Sequence, residues 1–273
     1  MPEADAARDL ERDFWLAEAA TREAGMLAHA YYFARARAWT KADSSPVSDA
    51  DHAVDRLLHD RLIGRRPGYG WISEERPDNA ARLDRERVWI VDPIDGTRAF
   101  LKRRPHWVVS VALAVSGRPE FGFLYNPICA ELFAARRGSG ATMNGHPIAV
   151  SDRDSLAGCR MLATPSRLAP ERWARPWPDM EVSRVNSFAY RVALVASARA
   201  DATIAFSRIH QWDLAAADVI VSEAGGVMTT PEGMKIGYNT ANLRYPGAVV
   251  AGPALHASLV DFIARNRQDA PPG

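Results

Sequence analysis

Two short apolar runs in this chain end in acid. Arg87-Val88-Trp89-Ile90-Val91 leads straight into Asp92-Pro93-Ile94-Asp95-Gly96-Thr97, and Tyr69-Gly70-Trp71-Ile72-Ser73 leads into Glu74-Glu75. A β-prone segment that is apolar on both faces must be covered on both faces, so each run reads as an interior strand of a layered α/β protein. Carboxylates at the ends of such strands are carried to a sheet edge, where side chains from distant parts of a chain meet. A third acid, in Trp212-Asp213, stands at the start of an apolar-periodic segment and is available to the same place.

The chain is long enough to bury a large core at 273 residues, 47% of them hydrophobic and 25% charged. Its formal charge of +1 gives no general attraction to nucleic acid or to an anionic membrane. No nucleic-acid polymer and no membrane is therefore expected as a partner. Cys129 and Cys159 cannot make a disulfide framework or a cysteine zinc site, which fits a reducing cytoplasm. Met1 to Arg12 lacks the basic and then apolar order of a signal peptide, and no stretch reaches the ~20 apolar residues of a membrane span.

Helical spacing of Leu10, Phe14, Ala20, Ala24, Leu27 and Tyr31 predicts one long helix over 7–38. The loop 41–48, with the turn formers Asp43, Ser44, Ser45 and Pro46, separates it from a second helix capped by Ser48 or Asp49. Segments 107–115, 120–125 and 131–135 predict an antiparallel meander, with Gly117, Gly138, Gly140 and Asn144-Gly145 as hairpin punctuation. Beyond it the rhythm alternates: strand 156–163, helix 189–198, strand 202–206, helix 213–224 stopped by Gly225-Gly226, strand 248–251 and helix 255–265. The expected division is an α+β half over 1–150 carrying most of the acids and an α/β half over 151–273 carrying Asp213. The Pro-, Arg- and Trp-rich stretch 166–179 reads as a surface excursion, and the tail from Gln268 as loose.

Carboxylates at strand ends suit Mg2+, a hard ion that takes oxygen ligands in near-octahedral geometry; no histidine or cysteine cluster accompanies them to suggest zinc. Pro93 keeps Asp92 extended, so its side chain is aimed out of the strand end, and Asp95 can turn back toward the same point. The Ile94 carbonyl is a further oxygen donor. Gly96 permits close approach to the backbone, and Thr97 opens a short helix whose N–H groups form an anion seat. Cations and phosphate side by side are what two-metal hydrolysis of a phosphate ester requires, the ions standing ~4 Å apart. Glu74 can be both ligand and base, and Asp213 can complete a second ion site.

The motifs resemble the inositol monophosphatase superfamily of lithium-sensitive, Mg2+-dependent phosphatases. The likeness runs through Lys41-Ala42-Asp43-Ser44-Ser45-Pro46-Val47-Ser48-Asp49-Ala50-Asp51, Ser73-Glu74-Glu75, Trp89-Ile90-Val91-Asp92-Pro93-Ile94-Asp95-Gly96-Thr97, Trp212-Asp213-Leu214-Ala215-Ala216 and Glu223-Ala224-Gly225-Gly226. It implies a layered αβαβα sandwich, as in the inositol monophosphatases and fructose-1,6-bisphosphatases, and a homodimer. It implies two or three Mg2+ held by Glu74, Asp92, the Ile94 carbonyl, Asp95 and Asp213. It also implies that Glu74 and Thr97 activate the attacking water with Asp51 behind Thr97. Substrate would be held by Asp95, Gly96, Thr97 and Asp213. Ser73 stands where many members have Gly. Ala205-Phe206-Ser207-Arg208 stands where inositol-preferring members carry a sugar-binding acid. Ser187-Phe188-Ala189-Tyr190-Arg191 resembles the bacterial branch that cleaves 3'(2'),5'-bisphosphonucleosides, with Arg191 placed to neutralise a second phosphate. The expected substrate is thus a small phosphorylated metabolite, adenosine 3',5'-bisphosphate first, with inositol 1-phosphate or histidinol phosphate as alternatives. A non-catalytic phosphate sensor on the same fold is the reading from another class.

Among smaller signals, Lys41 reads equally as a phosphate contact or a solvated helix-end residue, and Lys102-Arg103-Arg104 as a solvated helix end rather than a means of steering anions toward the cleft. Gly138-Ser139-Gly140 reads as a hairpin turn rather than a phosphate loop, and His210 as packing near the acids without binding metal.

Overall fold

The computed structural model describes residues 2–42 and 44–267; the turn former Asp43 and the tail from Gln268 lie outside the described residues. Six helices are present among them: α1 (Pro2–Ala34), α2 (Asp49–Leu62), α3 (Thr97–Leu101), α4 (Phe188–Ala196), α5 (Gln211–Glu223) and α6 (Pro253–Asn266). They sandwich two sheets. The larger has seven strands in chain order, Gly70–Ser73, Arg87–Asp95, Val108–Val115, Arg118–Asn126, Glu131–Arg136, Ala141–Met143 and His146–Ile148. The first two run parallel and the others antiparallel. The smaller orders its five strands as Glu181–Ser183, Arg160–Leu162, Ala202–Ala205, Ala248–Ala251 and Val227–Thr229.

The layers follow from residue size. Along Val108–Val115, alternate side chains face opposite ways: Val109, Val111 and Leu113 join Trp89, Phe121 and Phe123 under α1 and α2. Val108, Ala112 and Ala114 meet α4 and α5 on the other face. That second face is built small. Gly122 has no room for a side chain, because a Cβ there would lie 2.6 Å from Ala216 Cα, and Ala215, Ala216 and Ala217 of α5 are fully buried. The small sheet closes over the far side of α4 and α5, and α6 covers it through Leu255, Leu259 and Ile263. The sequence α1/α2, large sheet, α4/α5, small sheet, α6 is the expected αβαβα sandwich.

Element bounds differ from the sequence reading where local backbone decides. α1 spans Pro2–Ala34, ending at Arg35, whose φ of 61° is left-handed. Asp92 to Asp95 belong to the strand Arg87–Asp95, which bulges between those two residues. The predicted strand 156–163 shrinks to Arg160–Leu162, and Glu181–Ser183 and Val227–Thr229, unmarked by any apolar run, become strands by pairing with neighbours. The stretch 166–179 is not a simple surface excursion. Trp173 is 6% exposed and packs on Trp177, Phe206 and Phe262, so two tryptophans of this segment seal the α6 side of the small sheet. Asn144-Gly145, at φ 52° and 80°, makes the hairpin turn between two strands of the large sheet. None of the described helices is long and apolar enough to cross a membrane.

Candidate active site

Two parts of the fold deliver three carboxylates to one point. Asp92 and Asp95 flank the bulge at the end of Arg87–Asp95, and Asp213 sits in the first turn of α5. One oxygen from each lies within 4.8 Å of the others. Asp92 is 1% exposed and Asp95 8%. Glu74 follows the parallel neighbour strand Gly70–Ser73, whose register puts Ser73 beside Val91, so both acidic strand ends emerge at the same edge.

The acids are held by groups to which the sequence gave other roles. Asp95 Oδ2 accepts the Ser187 hydroxyl and the Ala189 N–H, both at 2.6 Å, so the start of α4 fixes it. Asp213 Oδ2 accepts the His210 N–H at 2.8 Å. Asp92 Oδ1 accepts the Ile94 N–H at 3.0 Å across the bulge. His210 stacks its ring on Trp212 at 4.3 Å and 5°, as a packing residue beside the acids. Gly96 is left-handed at φ 100°, and an added Cβ would stand 2.8 Å from the His106 carbonyl oxygen, so only glycine fits between bulge and helix.

Thr97 opens α3, and its hydroxyl contacts the Ile94 carbonyl at 3.2 Å and Asp51 Oδ1 at 3.4 Å. Asp51 is clamped from its other side by the Ser48 N–H and hydroxyl, at 2.8 and 2.6 Å, in the capping box that starts α2. Burial pushes the Asp51 carboxyl up to about 6, with the Ser48 hydrogen bonds opposing the rise.

Burial and crowding set the electrostatics. Burial, followed by the charges of Glu74, Asp95 and Asp213, drives the Asp92 carboxyl well above its ordinary range. Burial and then Asp95 do the same to Asp213. Asp95 is also raised by burial, against the lowering effect of Ser187 and Ala189. Glu74 is raised by burial, opposed by Lys41. The Lys41 ammonium bridges Glu74 Oε1 at 3.0 Å and Glu75 Oε1 at 2.6 Å, so it is neither a solvated helix-end residue nor a free phosphate contact. Buried like charges with only part of their repulsion answered are a poor arrangement for a metal-free protein and a good one for a divalent cation. All donors are hard oxygens, which fits Mg2+.

A cleft of about 230 Å³ opens beside Asp95 and Asp213 and is also lined by Arg167, Arg191, Phe206 and Arg208. Arg191 is 8% exposed, and its Nε donates to the Val185 carbonyl at 2.6 Å, so one edge of its fork belongs to the fold. The sequence marked Arg208 only as standing near a missing sugar-binding acid and Arg167 only as part of a surface stretch, and gave neither a binding role. Lys102-Arg103-Arg104 is not merely solvated, since Arg103 lies 4.7 Å over the Tyr32 ring. Glu223 accepts the N–H groups of Gly138 and Gly140, both at 2.9 Å, which makes that glycine turn a support for α5's end, not a phosphate loop.

Buried carboxylates converging at strand and helix ends of an αβαβα sandwich suit a divalent cation, while the fold alone names no activity. Comparison with known proteins narrows the choice. Residues 9–268 match the model of the inositol monophosphatase family. The Nus factor SuhB of Escherichia coli (strain K12) is 32% identical over 221 residues, covering 78% of this chain and 79% of that protein. A histidinol-phosphatase of Chlorobaculum parvum is 31% identical over 264 residues, covering 94% and 98%. The crystal structure of extragenic suppressor protein suhB from Bartonella henselae superposes with a TM-score of 0.79 at 29% identity, covering 91% of this chain and 96% of that one. The chain belongs to the inositol monophosphatase family.

Proposed function

We propose that the protein is a Mg2+-dependent, lithium-sensitive phosphomonoesterase acting on a small phosphorylated metabolite, and that its substrate class is the 3'(2'),5'-bisphosphonucleosides. The observation that carries the phosphatase reading is the meeting of Asp92, Asp95 and Asp213 within 4.8 Å, with Glu74 raised by burial alongside. Glu74, Asp92, the Ile94 carbonyl, Asp95 and Asp213 would hold two or three Mg2+. When bound, these ions supply Lewis-acid polarisation of the phosphate and a lowered pKa for water.

The chain's own groups do the rest. Glu74 accepts the proton of the attacking water. Thr97 orients that water through its hydroxyl and passes hydrogen-bonding demand to Asp51, whose raised carboxyl tolerates a proton. Gly96 and Thr97 present backbone N–H groups to the phosphate, and Asp95 and Asp213 flank it.

The substrate class rests on the cleft wall. Inositol offers only hydroxyls, whose O–H donors are best met by a carboxylate, and 205–208 supplies Phe206 and Arg208 instead. Histidinol phosphate carries a cationic amine, which Arg167, Arg191 and Arg208 repel. A nucleoside bisphosphate carries a second anion and a flat base, matching arginines and a phenylalanine. Histidinol phosphatase remains the second reading, favoured by the relative of that name that aligns with 94% of this chain. As in its relatives by resemblance, a cytoplasmic homodimer is proposed, to be checked by light scattering of the purified protein.

The test is a substrate panel of adenosine 3',5'-bisphosphate, inositol 1-phosphate, histidinol phosphate and fructose 1,6-bisphosphate, with Mg2+ and with or without Li+. Clear preference for any of the last three would overturn the substrate class. Absence of all turnover would leave the sensor reading, as would an Asp92→Asn variant that keeps every activity of the parent.

A further inference from the structure

Arg167 and Arg208, far apart in the chain, are brought together by topology. Arg160–Leu162 and Ala202–Ala205 are adjacent parallel strands, with Leu162 beside Thr203, so their carboxyl ends emerge on the same side of the small sheet. Arg167 follows the first strand in the turn Pro165–Arg167, and Arg208 follows the second, just ahead of α5 and Asp213. Loops beyond the carboxyl ends of parallel strands are where open α/β sheets bind ligands.

Both arginines line the 230 Å³ cleft that also holds Asp95 and Asp213. Both are exposed, and neither guanidinium has a hydrogen-bond or ion-pair partner among the described residues. This sets them apart from Arg191 in the same wall, whose Nε is taken by the Val185 carbonyl. Arg160, one strand end away, is likewise engaged, with its guanidinium on Asp201 at 2.6 Å. An unengaged pair of planar five-donor forks, beside a cation-binding centre that cannot use positive charge, is suited to a dianion. The acids hold cations at one side of the cleft and the arginines leave a phosphate-sized complement of donors at the other.

We propose that Arg167 and Arg208 form a subsite for a second phosphate on the substrate, away from the one being hydrolysed, and that this pair rather than Arg191 sets the preference for bisphosphorylated substrates. The inference rests on the phosphomonoesterase reading above and deepens it. The reacting phosphate stays with the metal-binding acids, and the bystander phosphate spans the cleft to the two loops.

The experiment compares kcat/KM for adenosine 3',5'-bisphosphate, fructose 1,6-bisphosphate, adenosine 3'-monophosphate and p-nitrophenyl phosphate in the parent, Arg167→Ala, Arg208→Ala and the double variant. Circular dichroism and melting confirm that each variant folds. Each single change should lower kcat/KM for the preferred bisphosphate about tenfold and the double change about a hundredfold, mainly through KM. Both monophosphates should stay within about twofold, because they have nothing to present to the pair. Loss on fructose 1,6-bisphosphate alone would support the subsite and assign its occupant to sugar bisphosphates. Equal loss on all four substrates, or no loss on any, would overturn the proposal.

Failure of the phosphatase reading is told apart by the parent: no monoester would be turned over at all. The subsite is then read by calorimetric binding of adenosine 5'-monophosphate, which keeps the bystander phosphate. Affinity at least tenfold weaker in the double variant would support the pair, and unchanged affinity would overturn it.

Discussion

Replacing Asp92 by Asn separates the stability of this protein from its chemistry. Two ionised carboxylates 4.8 Å apart repel by about 3.5 kcal/mol at an effective dielectric of about 20, and Asp92 faces both Asp95 and Asp213 at that range or closer. The full repulsion of two such pairs is not realised, because taking up one proton at neutral pH limits the cost to about 4 kcal/mol for an ordinary carboxyl. Asparagine keeps the Oδ1 that accepts the Ile94 N–H, and its amide can donate to Asp213, with which Asp92 is already close enough to hydrogen-bond. The metal-free variant should therefore be more stable than the metal-free parent by about 2 to 4 kcal/mol, or about 5 to 10 °C in melting temperature. Mg2+ should close that gap: at a hundred times its Kd it stabilises the parent by about 2.7 kcal/mol, and at a thousand times by about 4.1 kcal/mol, while the variant is nearly unmoved. Differential scanning calorimetry of both proteins, in chelator and across a Mg2+ titration, reads the two effects without any substrate. A metal-free variant melting at or below the parent would refute the picture of crowded, unanswered charge.

Three further outcomes are expected. Asp51→Asn should leave the fold intact and lower kcat by about a hundredfold or more, with KM little changed, since Asp51 reaches the reacting groups only through the Thr97 hydroxyl; steady-state kinetics with a thermal melt alongside checks it. Asp201 is held near 2, below its ordinary value, by hydrogen bonds from the Arg160 guanidinium and N–H that outweigh its burial. A lowered folded value means that its stabilisation is complete above about pH 4 and is lost as pH falls from there toward 2. Asp201→Asn should thus cost about 1 to 2 kcal/mol at pH 7, discounted because Arg160 is 45% exposed, and only a few tenths at pH 2, as urea melts at both pH values would report. Gly122→Ala should destabilise by about 1 to 3 kcal/mol, because its Cβ meets Ala216 Cα at 2.6 Å and α5 must shift; an unchanged urea midpoint would contradict the packing of that face.

The acid motifs were readable because each announces itself locally. An apolar strand breaking into Asp-Pro-Ile-Asp-Gly-Thr needs no tertiary information to be recognised as a strand end with chemistry, and the resemblance of the surrounding motifs led to the right family. The antiparallel meander was equally plain, since short β-prone runs follow one another with turn residues such as Gly117-Arg118-Pro119 and Asn144-Gly145 among them. Less was visible where an element exists only by pairing. Glu181–Ser183 and Val227–Thr229 have no apolar run of their own and become strands because a neighbour offers its backbone. Trp173 was misjudged for a related reason: a Pro- and Arg-rich segment looks like surface until one sees that the small sheet leaves an aromatic gap under α6. Lys41 was visible as a charge, but nothing in the linear order placed it 33 residues onward against Glu74.

The amino-acid order by itself fixed which residues are acids at strand ends, the period of the helices and sheet, and the glycines that let backbone and α5 come close. Those are short-range properties, decided by side-chain size, charge and the φ that each residue tolerates. Only the folded chain decided which acids share one point, that Ser187 and the start of α4 grip Asp95, and that Arg167 and Arg208 face the same cleft. Those depend on strand register and layer order, which are settled by packing across the whole molecule, and no local pattern encodes a distance between residues that meet only when the core closes.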